Sequence, residues 1–203
     1  MYNFTIPMAL MDFVPVLFFG YAAALLQQDL YNKMTKGSFA LFAAGTVNIF
    51  AAGLLKAVWK LLYAAGICDF LALNTMFLPV QSLGFLLAGI GIIWMLIGKK
   101  QTTLVVAPPL FSGSFIFIMM MVLGLGSICT VLSILAVKMR KKSAMILFIL
   151  SFLASMGMGA MSGQDSTQAW VNWTEQSINC IGQGLLLAGV IILDKHGLKD
   201  LTL

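Results

Sequence analysis

Residues 73–98 read LNTMFLPVQSLGFLLAGIGIIWMLIG, twenty-six positions without one charged side chain. At 1.5 Å per residue a helix of this length crosses the hydrocarbon layer of a bilayer, about 30 Å thick. Comparable apolar runs lie on either side of it, at 6–27, 38–63, 115–137, 143–163 and 173–194. The rest of the composition agrees. Of 203 residues 61% are hydrophobic and 9% are charged, whereas a soluble domain carries about 25% charged residues. Nineteen charges cannot cover a water-exposed surface of this size. The expectation is an all-α, polytopic integral membrane bundle of six transmembrane helices, with residues 1–203 forming a single transmembrane domain. Pro108-Pro109 and Ser112-Gly113-Ser114 argue against a seventh helix between the third and fourth runs, because adjacent prolines break a helix interior.

The basic residues stand in short clusters at the ends of the apolar runs, which makes them determinants of topology and excludes nucleic acid as a partner. The partner they imply is the lipid bilayer. The first run follows MYNFTIPMALMD, which lacks the basic segment and small-residue cleavage site of a secretory signal, so it is expected to remain as a helix. With six spans and both termini in the cytoplasm, Lys56, Lys60, Lys138, Arg140, Lys141, Lys142, Lys195 and Lys199 fall inside, against Lys33, Lys36, Lys99 and Lys100 outside. That count favours a cell membrane with cytoplasmic termini.

The chain also matches itself. At an offset of 105, Leu30, Lys33, Met34, Lys36 and Ser38 correspond to Leu135, Lys138, Met139, Lys141 and Ser143. At an offset of 100, Gly84, Leu86, Leu87, Ala88, Gly89 and Ile92 correspond to Gly184, Leu186, Leu187, Ala188, Gly189 and Ile192. Two halves of three spans, 1–100 and 101–203, follow. Three is odd, so the second half should be inverted relative to the first. Inversion puts two matching basic loops on opposite sides of the membrane, in conflict with the preference of positive charge for the cytoplasm.

Catalysis finds little to work with. His196 is the single histidine and sits in a charged tail, HExxH is absent, and Cys68, Cys129 and Cys180 show no ligand spacing. No catalytic residue, metal or cofactor is expected, and the chain is not read as an enzyme. Gly84, Gly91 and Gly98, and the pair Gly159 and Gly163, read instead as small surfaces for close helix packing.

Polar residues inside the runs are the informative ones. Asn172, Gln176, Asn179 and Gln183 are spaced four, three and four, so their carboxamides form one helical stripe, with Glu175 beside it and Trp170 and Trp173 at its start. In hydrocarbon such a stripe must turn inward, either as interhelical hydrogen bonding or as a cavity lining. Asn74 and Gln81 share one side of the third span, with Pro79 between them interrupting the hydrogen-bond ladder or simply kinking the helix. Asp12, just before Pro15, and Lys56, on one face with Asn48 and Lys60, are candidate ion or proton sites. For Lys56 the competing reading is snorkelling to the interface beside Trp59 and Tyr63.

The functional expectation is a small-solute membrane transporter or facilitator with an amide-lined site near the bilayer midplane. Asn74, Gln81, Asn172, Trp173, Gln176, Asn179 and Gln183 would bind a small polar solute. The alternative is a non-transporting membrane subunit or sensor acting through a partner subunit, and a homo-oligomer would serve a chain without soluble domains in the same way.

Overall fold

The computed structural model describes residues 4–97, 114–161 and 168–202, all helical or in short connections, with no strand among them. The helices are α1 (Ile6–Met11), α2 (Phe13–Leu30), α3 (Lys36–Ala64), α4 (Leu71–Thr75), α5 (Phe77–Ile97), α6 (Ser114–Lys138), α7 (Lys142–Met161) and α8 (Ala169–Lys195). Among the described residues five stretches are long and apolar enough to cross a membrane: 6–33, 36–64, 71–97, 115–138 and 169–195. A sixth apolar helix, α7, is shorter.

Local chemistry sets the boundaries. Thr35, in extended conformation, caps α3 by accepting a hydrogen bond from the Ser38 amide at 3.2 Å. The same helix ends at Gly66, whose φ of 68° lets its amide reach the Tyr63 carbonyl while the Ile67 amide reaches Leu62, at 3.1 and 3.0 Å. Arg140 closes α6 in the same left-handed conformation with no glycine to ease it.

Both helix interruptions trace to proline. Pro15 and Pro79 cannot donate to the carbonyls of Met11 and Thr75, four residues earlier, and the ladder is broken at the next residue, Asp12 and Met76 respectively. Backbone angles at Asp12 and Met76 nevertheless remain helical.

The helices form a ring in which each neighbours the next: α2, α3, α5, α6, α7, α8 and back to α2. Glycine lets the backbones come close. A Cβ on Gly45 would stand 2.5 Å from the Gly84 carbonyl oxygen, and one on Gly124 would stand 2.2 Å from that of Phe85. Gly84 and Gly91 both face α3, as the seven-residue spacing implied. Gly98, Lys99, Lys100, Pro108, Pro109 and Gly163 lie outside the described residues.

Side-chain pairings give the helix directions. On α2 and α3, Asp12 meets Lys60, Gly20 faces Phe50 and Gln27 meets Thr46, an antiparallel pair. Gly84 faces Ile49 and Gly91 faces Phe42 and Ser38, so α5 is antiparallel to α3. The α7–α8 pair is antiparallel too, with Gly182 facing Ala154 and Gly189 facing Phe148. Finally, Gly184 faces Phe18 and Lys33 reaches the Lys199 carbonyl at 2.9 Å, which makes α8 parallel to α2. Because α6 turns into α7 through the tight connection at residues 139–141, α2, α5, α6 and α8 all point the same way. The inverted second half expected from the sequence is therefore not what the helix directions give. Ile97 and Ser114 stand at opposite ends of the ring, and the sixteen residues 98–113 connect those ends.

The two ends differ in chemistry. At the end where α2, α5, α6 and α8 finish, hereafter the basic end, stand Lys33, Lys36, Lys138, Arg140, Lys141, Lys142, Lys195 and Lys199, eight of the ten described basic residues. The apolar core occupies the adjoining half of the bundle: Leu26, Leu30, Phe42, Ile92, Leu132, Leu135, Phe148, Val190 and Leu193 are buried together. The other end is aromatic, with Phe4, Trp59, Tyr63, Phe70, Phe77, Trp170 and Trp173.

Candidate functional site

Asp12 is where the first span's ladder is interrupted, and it is 6% exposed. Its Oδ2 pairs with Lys60 Nζ at 2.8 Å, and Lys60 is 4% exposed. The other oxygen, Oδ1, is buried and has no hydrogen-bond partner. An ion pair taken out of water gains from mutual attraction only when the remaining lone pairs and protons are also satisfied. Here one lone-pair set is left over, within a membrane-length helix.

Lys56, one turn before Lys60 on α3, points to the same region. Its Nζ lies 3.9 Å from the centre of the Phe77 ring, a cation–π contact supplied by the first residue of α5 after the interruption at Met76. It forms no ion pair among the described residues, although Asp12 and Glu175 of α8 are near enough to act on it electrostatically. Lys60 Nζ is also 5.1 Å from the Phe4 ring, which packs edge-on against Trp59 and Tyr63. The interfacial-belt reading of Trp59 gives way to a different arrangement: Trp59 is 2% exposed and its indole N–H donates to Asp69 at 2.9 Å. Lys56, by contrast, is half-buried, with its ammonium on the Phe77 ring.

The amide stripe of α8 is only partly inward. Asn172 and Gln176 are buried, Asn179 and Gln183 are half-buried, and Trp173 is exposed. The Asn172 amide nitrogen lies 3.4 Å from the Gln168 carbonyl, a bond within its own helix. The Gln183 side-chain oxygen is buried without a hydrogen-bond partner. On the third span, Asn74 and Gln81 are half-buried. The expectation that these two polar faces meet is corrected by the ring order: α5 and α8 are not neighbours, being separated by α3 and α2 one way and by α6 and α7 the other. Pairings along the ring nevertheless set Gly84 level with Ile49, Phe50 with Gly20, and Phe18 with Gly184, so Gln81 and Gln183 lie at similar depth.

Grooves lie between neighbouring helices of the ring. One, of about 560 Å³, lies between α6 and α7 and is lined by Gly126, Cys129, Ile134, Ile149 and Phe152. The other, of about 410 Å³, lies between α2 and α3 and includes Tyr21, Gln27, Thr46 and Phe50. Neither contains the amide stripe. Among the described residues no group of three or more His, Cys, Asp or Glu could hold a metal ion.

Lys60, Phe77 and Glu175 were not among the sequence-derived candidates. The lysine was legible as one turn beyond Lys56, but its partnership with Asp12 joins residues 48 apart in the chain. A second buried carboxylate was missed as well. Asp29, 5% exposed at the basic end, has an Oδ2 without a hydrogen-bond partner and lies in the field of Asp194, Asp200, Lys33 and Lys199. Comparison with protein families, curated proteins and solved structures finds no match to this chain.

Proposed function

We propose that this chain is a small-solute transporter or facilitator whose polar site lies in the aromatic half of the bundle. The observation that carries the reading is the buried Asp12–Lys60 pair with its unpartnered Oδ1, held at a helix interruption inside a membrane-length segment. Charge at such depth is costly, and in membrane helices it characteristically marks a solute or ion path. Interrupted helices with binding groups at the break are a recurrent way of building such a site. Asn172, Gln176, Asn179 and Gln183, with Asn74 and Gln81 across the ring, supply hydrogen-bonding groups along the way inward. Reconstituted liposomes tested with urea, glycerol, glucose and amino acids provide the check. The expected result is uptake of at least one of them above that of empty liposomes, reduced in the Asp12→Asn variant. If none enters and none stabilises the purified protein, the reading falls and a membrane subunit acting through a partner takes its place.

The proposed arrangement in a cell membrane follows from charge. In this arrangement the six helices of the ring each cross, α2 starting at the aromatic end and α8 finishing at the basic end, so the two described ends of the chain are on opposite sides. The basic end faces the cytoplasm by the positive-inside preference. This resolves the conflict over the two basic loops, since both are then cytoplasmic, and it pairs two triplets, α2–α3–α5 and α6–α7–α8, running in the same sense. Their likeness is in helix order, whereas the packing glycines fit an offset of 98: Gly84 and Gly91 face α3 as Gly182 and Gly189 face α7. Exposed Cys68, between α3 and α4, should react with a membrane-impermeant maleimide on intact cells. In a Cys68→Ser background, Arg140→Cys should react only after permeabilisation. Labelling of both from one side would remove this topology.

A further inference from the structure

We infer that the cluster around Asp12 takes an α-amino carboxylate, its ammonium on Oδ1 of Asp12 and its carboxylate on Lys56; this rests on the transport reading above and narrows its substrate class. Asp12 has one oxygen committed to Lys60 and one buried oxygen with nothing to accept from. Lys56 has its ammonium on a ring face and no carboxylate within ion-pair distance among the described residues. The two groups are too far apart to pair directly, yet close enough for each to act electrostatically on the other. A molecule carrying both charged groups on one carbon bridges such a gap.

The balance of charge selects among solutes. Asp12 and Glu175 against Lys56 and Lys60 give two of each sign, a cluster with no net charge but with separated poles. A simple anion or cation would leave one charge uncompensated in surroundings of low dielectric. A sugar or urea would leave both poles unmet. A zwitterion adds no net charge and satisfies both. Lys60 is a positioning residue in this scheme, fixing the carboxylate of Asp12 through Oδ2 so that Oδ1 remains available. The Phe77 and Phe4 rings give the solute's side chain an apolar wall.

The test uses the purified full-length protein and a pool of the twenty L-amino acids, read as a shift in thermal unfolding and as uptake in liposomes. Expected is a rise in unfolding temperature with at least one amino acid, and none with its deaminated or decarboxylated relatives; for leucine these are 4-methylpentanoate and 3-methylbutylamine. Lys56→Gln should lose at least ten-fold in apparent affinity while eluting as the wild type on size exclusion, and Lys56→Arg should recover part of it. Asp12→Asn should lose the response as well. Should that variant fail to fold, Lys56→Gln still decides. A wild-type response in Lys56→Gln, equal binding of a one-charge relative, or no response to any amino acid overturns the inference. In the last case, uptake of urea, glycerol or glucose would leave the transport reading standing, and uptake of nothing would remove both.

Discussion

The basic half and the aromatic half of this bundle are made from the same helices and solve opposite problems. Towards the basic end, Leu30, Phe42, Leu132, Leu135, Phe148, Val190 and Leu193 pack with essentially no exposure, and the lysines and Arg140 stay on loops and tail, with Asp29 the one buried carboxylate among the described residues there. Lys33 there reaches the Lys199 and Leu201 carbonyls and ties the C-terminal tail to the end of α2. Towards the aromatic end the charges are inside: Asp12 and Lys60 are as buried as many core residues, and amides extend the polar face. The aromatic half carries buried polarity that packing alone does not require, and that is the usual mark of function in a membrane bundle.

The sharpest way to break this contrast is to remove one member of the buried pair. Lys60→Met should cost about 3–5 kcal/mol, because it strands the Asp12 charge. The double variant Asp12→Leu/Lys60→Met should regain most of that stability and remain without uptake; thermal unfolding in detergent and liposome uptake measure the two effects separately. If the double variant transports normally, the aromatic half is only packing.

Crowding in the apolar half is expected to have the next largest effect. Gly124→Ala places a methyl against the Phe85 carbonyl, where backbone and not a flexible side chain must move. It should destabilise by about 1–3 kcal/mol, with no change in solute selectivity once the protein is folded. The same substitution at Gly157, where a Cβ meets nothing within 4 Å, is the control. A smaller loss should follow Gln27→Leu, which removes the 2.8 Å bond from its side-chain nitrogen to Thr46 Oγ1. About 0.6 kcal/mol is the scale for such a bond between membrane helices, and a double-mutant cycle with Thr46→Val isolates it.

Much of the fold was legible in the chain. The six runs, the helix-breaking influence of Pro79 and the stacking role of Gly84 and Gly91 follow from composition and spacing, which depend on neighbours along one helix. The helix directions did not, since the six-run reading makes 99–114 a same-side loop while the pairings around the ring set Ile97 and Ser114 at opposite ends. The site was half legible. Asp12 and Lys56 stood out as charges in apolar surroundings, but the amides of α8 suggested a partner on α5 that ring order denies them. Trp59, which sequence reads as an interfacial side chain, is buried against the Phe4 ring and bonded to Asp69.

By itself the sequence determined that this chain carries several helices long and apolar enough to cross a membrane, since hydrophobic length and scarcity of charge are local quantities that no folding can alter. Only the tertiary structure decided which buried charges meet. Asp12 and Lys60 are distant in the chain and adjacent in space, because glycine-lined helices approach closely enough to bring two interrupted segments and two lysines to one depth.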